Sequence, residues 1–451
     1  MEDKTMKKSV FGIAALLLAL AACNKVETDI TPAEQSSDGK GITITATLAP
    51  KTADTKAVSE GTNKIEASWA QNEKMAILYE VSGTKHVADA EIKSVDANGS
   101  ATIEFTVVDG TPDNTACMLV YPLTAAKDDH TGVKDAVTLL AAQDGTLSAN
   151  LDVRVGAGTI QTTTPSLDVT TQPEAQFAIF KFTVKNYDGS AAISAKPLIV
   201  TIDTQDYVIT PAAATDVLYA ALPAVSDEKV SFDATDGSDR TYTCAKLSAS
   251  FEAGKYYQST LKMREYVDLG IVVEGKKIKW ATCNVGASKP QDYGVYFAWG
   301  ETATKAEYKT DWSNYFDTSD GGSTFTRYTA GEKIELRLQH DAARANWGGN
   351  WRMPTSKEME ELLALARQWG TYEGVNGYKF TRNGKTLFLP AAGYRYNTVS
   401  DEVGSRGYYW SSTIHQNYSV NAWYVYFNSE YANRGSSGGR YYGQSVRPVT
   451  E

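Results

Sequence analysis

The chain has 451 residues, room for two or three domains, and 44 lysines and arginines against 54 aspartates and glutamates give it a net charge of −10. With that balance and no basic run, a nucleic-acid partner is not expected. Four cysteines, widely spaced, make neither a disulfide framework nor a zinc pattern.

Taken in chain order, the first element is a secretory signal over residues 1–22. Lys4, Lys7 and Lys8 precede an apolar run from Val10 to Ala22, too short to span a bilayer but suited to export. The run ends in Leu20-Ala21-Ala22-Cys23, which resembles the bacterial lipobox. That resemblance implies a diacylglycerol on the Cys23 thiol and a membrane anchor that needs no spanning helix. Residues 23–40 then read as a lipidated tether, polar and interrupted by Pro32 and Gly39.

From Gly41 the sequence alternates. Ile42, Ile44, Ala46 and Leu48 share one face, with threonines between them. Strand-like runs recur at 74–80, 101–108, 116–121, 176–184, 198–202, 217–222, 229–232, 242–247 and 256–263. In the fourth of these Ala178, Phe180, Phe182 and Val184 fall on one side, as a half-buried strand requires. Turn-forming clusters separate the runs and no long amphipathic helix intervenes, so a β-sandwich is expected over residues 41–263. Cys117 and Cys244 both lie in this stretch, and they are the one candidate disulfide pair.

Near Arg264 the composition shifts, because eight of the nine tryptophans and most of the 26 tyrosines follow it. The shift places a boundary at about 263–266, with a second domain over 264–451. Gly275 predicts a hairpin within 272–278, and Asn383-Gly384 predicts another within 378–389. One helix is expected between them. Thr355-Ser356-Lys357-Glu358 fits a capping box, Met359, Leu362, Leu363 and Ala366 make an apolar stripe, and Gly370 closes the element.

Several ordered blocks in this second domain carry a resemblance: Val267–Gly270, Trp280–Ala287, Tyr296–Thr302, Asn346–Gly349, Trp351–Thr355, Leu387–Tyr394, Gly407–Ser412 and Ser445–Val449. They resemble the Fibrobacter succinogenes major paralogous domain family, common in surface lipoproteins of gut Bacteroidetes. The resemblance implies a C-type-lectin-like fold, shared with formylglycine-generating enzymes. The active-site cysteine pair of those enzymes and the calcium motifs of true lectins have no counterpart here. Residues 41–263 resemble the fimbrillin-like families, through Ile65–Ala70, Asn72–Ile77, Leu119–Pro122 and Phe177–Phe182. The expected fold is therefore mainly β, a fimbrillin-like β-sandwich region followed by an α+β C-type-lectin-like domain. In fimbrillins an arginine-specific cut removes the first strand and a neighbouring subunit supplies a replacement. Here the first arginine is Arg154, deep in the domain. Either Lys51 or Lys56 is cut, or the chain keeps its first strand and does not polymerise.

Motifs for chemistry are sparse. His86, His130, His340 and His415 lack ligand spacing, and His340-Asp341 reads as a helix start. Asp317, Asp320, Gly321 and Gly322 miss the spacing of a calcium loop. Cys283 reads as a small buried hydrophobe. No catalytic residue, metal or cofactor is expected, and the chain is read as a binding protein, not an enzyme. Aromatic clusters at Tyr293–Tyr315 and Tyr394–Trp410 supply what carbohydrate sites use. The candidate ligand residues are those between the shared blocks: Arg395, Tyr396, Asn397, Gln416, Asn417 and Tyr418. The expected function is a surface-exposed, outer-membrane lipoprotein acting as a fimbrillin-related adhesin or tip-like protein. Its partners would be the membrane through Cys23, a glycan or a host or bacterial surface protein, and fimbrial subunits. The alternative is an accessory lipoprotein for glycan capture, unconnected with fimbriae.

Overall fold

The computed structural model describes residues 41–51, 59–61, 64–66, 68–147, 151–310, 335–415 and 420–451. Cys23, Lys56, Asp317, Asp320, Gln416, Asn417 and Tyr418 lie outside the described residues. The fold is mainly β. No helix among the described residues is long and apolar enough to cross a membrane. Two compact units divide the chain. One gathers the described residues up to Thr183 with Thr204–Glu228 and Ser248–Thr260, and the other gathers Val184–Asp203, Lys229–Leu247 and Leu261–Glu451. The 41–263 stretch thus contributes to both, and the strand Tyr256–Val273 runs unbroken past residues 263–266.

In the first unit, seven strands close into a barrel where two packed sheets were expected. Ile42–Leu48 pairs antiparallel with Ala101–Val107 along its whole length, and a parallel bridge from Thr45 to Ser166 completes the ring. Among the described residues both edge strands of the sheet are joined in this ring, the seam resting on that one bridge. The two strands that make it possible, Arg154–Gln161 and Ser166–Ala175, were not legible as strands. Gly156 and Gly158 dilute the alternation in the first of them, and a Cβ at Gly156 would meet the Thr171 carbonyl oxygen at 2.6 Å. Ile44, Leu48, Met75, Ile77, Ile92, Ile103, Phe105, Leu119 and Ile160 fill the interior.

The same barrel buries a charged cluster. Lys51 Nζ donates to Asp152 Oδ2 at 3.0 Å, and Arg154 Nε donates to Asp152 Oδ1 at 2.8 Å. All three side chains are almost wholly shielded from solvent. The Lys51 ammonium also lies 3.8 Å from the Trp69 ring centroid and 4.0 Å from that of Tyr121, rings that meet edge to face. Desolvated cations are held here by a carboxylate and by aromatic faces together.

The candidate disulfide is corrected. Cys117 and Cys244 are both free thiols. Cys117 points into the barrel core among apolar side chains, and burial pushes its thiol up to about 12. Cys244 lies on the strand Thr241–Phe251, in the part assigned to the other unit. Lying in the same 41–263 stretch did not mean sharing a core.

In the second unit, Ala195–Ile202 pairs with Val225–Asp236, and Thr241–Thr243 pairs with Arg264–Tyr266. The hairpin between Tyr256–Val273 and Lys276–Ala281 turns through Glu274 and Gly275, both in the left-handed region, as the primed turns demand. Val449–Thr450 returns to pair beside Lys276–Ala281, so the start and end of the 264–451 stretch are neighbouring strands. The hairpin Val375–Arg382 with Lys385–Pro390 turns at Asn383-Gly384 as expected.

The helix is Ser356–Leu363, and its capping box is complete: Thr355 accepts from the Glu358 N–H, and Glu358 accepts from the Thr355 N–H. It is shorter than the sequence pattern suggested. Ala366–Tyr372 is a strand paired with Val375–Arg382, turning at Glu373-Gly374. Ala366 is exposed while Met359, Leu362 and Leu363 are buried, so the stripe ends with the helix. Two cores result. One packs Leu269, Ile278, Trp280, Met359, Phe380, Leu389, Tyr409 and Phe427, and the other packs Phe297, Trp299, Met353, Trp410 and Val446.

Candidate binding surface

The blocks that carry the resemblance meet inside the second unit and tie one another down. Arg447, fully buried, donates to Asn284 Oδ1 at 2.8 Å and to the carbonyl oxygens of Ala281 and Thr282, which joins the blocks at 280–287 and 445–449. Trp299 Nε1 donates to the Ser411 carbonyl and Trp410 Nε1 to the Phe297 carbonyl. Arg352 grips Glu358 through two hydrogen bonds of 2.8 and 2.6 Å. Asp341 caps the helix Ala342–Trp347 and accepts the Met353 N–H, which is the structural role expected of it. These hydrogen bonds lie inside the fold, where buried polar groups need partners, although Arg447 Nη2 is left without one.

Of the two aromatic clusters expected from sequence, the first is largely interior. Trp299 and Tyr308 are fully buried, and Tyr296 donates its hydroxyl to the Ala392 carbonyl at 2.6 Å. Trp312 and Tyr315 lie outside the described residues. The second cluster divides: Tyr409 and Trp410 go inward, while Tyr394, Tyr396 and Tyr408 stay at the surface.

Those three belong to a longer row. Tyr394 packs on Tyr408 at 5.1 Å and on Tyr442 at 5.6 Å between ring centroids. Tyr396 meets Tyr441 and Tyr442 at 6.0 and 5.4 Å. Tyr408 continues to Tyr426 at 5.0 Å and Tyr424 at 5.9 Å, and Tyr426 reaches Tyr431 at 5.6 Å. Tyr396 and Tyr431 are the most exposed, at 40% and 44%, and Val399, 61% exposed, sits opposite Tyr396 across its hairpin. The row arises from strand pairing. In Asn421–Phe427, Ala422, Val425 and Phe427 are buried while Tyr424 and Tyr426 take the other side, and Tyr408 is the register partner of Tyr426. Directly opposed aromatics on one sheet face stabilise each other as well as forming a surface.

A polar rim borders the row. Tyr408 donates to Glu402 at 2.5 Å, Glu402 also pairs with Arg406, and the Tyr394 hydroxyl donates to Asp401 at 3.3 Å. Burial, then the Glu402 hydrogen bond, raises the Tyr408 phenol, and the contact with Tyr441 raises that of Tyr442. Tyr408 and Tyr442 therefore present neutral hydroxyls beside the ring faces of the row.

Of the expected ligand residues that are described, Tyr396 stands in this row. Arg395 and Asn397 serve the backbone. Arg395 exchanges two main-chain hydrogen bonds with Gly443 and donates its Nη2 to the Thr398 carbonyl at 3.1 Å. Asn397 holds a left-handed turn position and exchanges main-chain bonds with Tyr308. Gly393, also left-handed, lets the hairpin start there, since a Cβ would meet the Asp401 carbonyl oxygen at 2.1 Å. Tyr424, Tyr426, Tyr431, Tyr441 and Tyr442 were missed. The alternation Tyr424-Val425-Tyr426-Phe427 was the available signal.

Among the described residues no group of three or more histidine, cysteine or acidic side chains is placed to hold a metal. Cys283 is half-buried at the edge of a cavity, not enclosed as expected.

The family model that matches is described only as a domain of unknown function, DUF8237, and covers residues 375–449, the stretch holding all eight tyrosines of the row. No curated protein matches this chain. Among solved structures, a candidate cell adhesion protein from Bacteroides ovatus is 14% identical, with a TM-score of 0.28, over 51% of this chain and 96% of its own. A fimbrial protein from the same species is 12% identical, with a TM-score of 0.24, over 92% of this chain and 99% of its own. The minor pilin GBS52 of Streptococcus agalactiae is 9% identical, with a TM-score of 0.21, over 49% and 96%. These values are low, so the likeness names what the chain resembles and goes no further.

Proposed function

We propose that this chain is a surface-displayed adhesin-like binding protein, not an enzyme, whose tyrosine row engages glycans. The observation that supports the reading is the row itself. Eight tyrosines in ring contact, flanked by carboxylates and an arginine, offer flat apolar faces beside hydrogen-bonding groups. Sugar rings have an apolar face and a polar rim, and tyrosine gives rigid amphipathic area at little entropic cost. In this reading Cys23 carries the lipid and the protein is held at the outer membrane, facing outward. The test is a glycan array probed with the mature full-length chain. Binding should survive EDTA and fall in Tyr396→Ala and Tyr441→Ala variants. An array without signal, or one abolished by EDTA, would reject it.

The fimbrial connection is proposed in a non-polymerising form. Lys51 and Arg154 are both buried with Asp152, which favours a chain that keeps its first strand. Mass spectrometry of the native N-terminus should find residues 24–50 present. An N-terminus beyond Ala49 together with SDS-resistant ladders would make it a polymerising subunit instead.

A further inference from the structure

A cavity of about 250 Å³ in the second unit stands apart from the tyrosine row, and Arg264, Tyr187, Trp347, Glu265, Thr282 and Cys283 contribute to its wall. The Arg264 guanidinium carbon lies 4.0 Å from the Tyr187 ring centroid and 3.8 Å from that of Trp347. The rings cover the guanidinium, and burial lowers its pKa to about 10. Packing of this kind fixes the plane of the group and leaves its N–H edge as the binding element. Among the described residues no carboxylate, carbonyl or hydroxyl accepts from that edge, which faces the open cavity where an incoming acceptor can displace water.

We propose that this cavity binds a small organic carboxylate, with its two oxygens on the Arg264 edge and its carbon body against Tyr187 and Trp347. A carboxylate matches the guanidinium fork in geometry and in charge. A single negative charge fits better than two. The other arginine of the cavity, Arg240, is already paired with Asp236 at 2.7 Å, and Glu265 stands in the same wall. Burial pushes the Glu265 carboxyl up toward its neutral form, which weakens its opposition to an incoming anion. The Cys283 thiol, on the wall and free, reports occupancy.

The test is calorimetric titration of the full mature chain with glucuronate, glucose, acetate and inorganic phosphate, beside alkylation of Cys283 followed by peptide mass spectrometry. Glucuronate should bind and slow Cys283 alkylation, while glucose does neither. Acetate, lacking the carbon ring, should bind at least about tenfold more weakly, and Arg264→Gln should weaken glucuronate by about tenfold or more. Arg264→Lys keeps the charge but not the fork, so it should fall between, which separates loss of the site from loss of the fold. Equal binding of glucose, or of phosphate, would overturn the proposal. So would glucuronate binding that leaves Cys283 alkylation unchanged, because that ligand would sit elsewhere, as on the tyrosine row. Tyr396→Ala should leave Cys283 protection intact, so this proposal and the glycan reading of the row fail separately.

Discussion

In the barrel, Trp69 and Tyr121 turn their faces toward a lysine that has no access to water. In the Asn421–Phe427 strand, Tyr426 turns outward and, with the half-buried Tyr424 that also packs on Trp410, joins a row that ends in two exposed rings. Aromatic residues alone therefore do not mark a binding surface. What separates the two regions is how the polar part of each ring is satisfied. Trp69 donates to the Ala49 carbonyl inside the fold, and the tryptophans Trp299 and Trp410 do likewise. The hydroxyls of Tyr394 and Tyr408 are instead met by the rim carboxylates, so these rings stay at the surface while Trp69, Trp299 and Trp410 go inside.

The largest effects should come from breaking the interior side of this contrast. Asp152→Ala leaves Lys51 and Arg154 as buried cations without their carboxylate and should cost about 3–5 kcal/mol in denaturant unfolding. Trp351→Ala, at a residue 3% exposed that packs edge to face on Trp347 at 5.2 Å, should cost about 3–5 kcal/mol by opening a cavity. If Asp152→Ala cost under about 1 kcal/mol, the cluster would have relaxed into water and the barrel would not be sealed around it.

A smaller effect tests the element that the sequence specified best. Thr355→Ala should cost about 1 kcal/mol by removing the helix cap. That cap was legible because Thr355 and Glu358 lie three residues apart and act locally, as Asn383 and Gly384 do in their hairpin. The strand Ala366–Tyr372 was not, because Ala366 extends the helical spacing of Met359 and Leu362. Glu373-Gly374 carried the corrective signal, since it repeats the Glu274-Gly275 turn. Barrel closure was illegible for a different reason. It depends on Thr45 meeting Ser166 across the chain, a pairing that no local pattern encodes. The tyrosine row is of the same kind, because Tyr408 and Tyr426 become neighbours only through register.

A pH effect comes next. Glu335 accepts from Ser412 at 2.5 Å and Thr413 at 2.8 Å, and burial raises its pKa above the ordinary carboxylate value. The folded state therefore holds its proton more tightly than the unfolded state. Its contribution is fully present below the unfolded value and is lost as pH rises through the folded one. The Glu335 contribution should fall as pH rises above about 4.5, so Glu335→Gln should remove that downward component from the pH dependence of stability. Melting curves across this range check it, and an unchanged slope in the variant would assign the dependence to the buried Asp341, whose pKa is raised in the same direction.

The smallest stability effect belongs to the outward side of the contrast and is also the most informative about function. Tyr396 is 40% exposed, at the tip of a short hairpin whose geometry is held by Gly393 and by main-chain bonds from Arg395 and Asn397. Its ring touches Tyr441 and Tyr442 and fills no core space, so Tyr396→Ala should cost no more than about 0.5 kcal/mol, as surface substitutions do. If the row binds glycans, the same change should weaken array binding while the melting temperature stays put. Shallow stacking sites give dissociation constants on the order of 0.1–1 mM per domain, and display in many copies would raise the apparent affinity. A loss of stability like that of Trp351→Ala would make Tyr396 part of the structural interior. The contrast between the inward Trp69, Trp299 and Trp410 and this outward tyrosine row would then fail at its most exposed point.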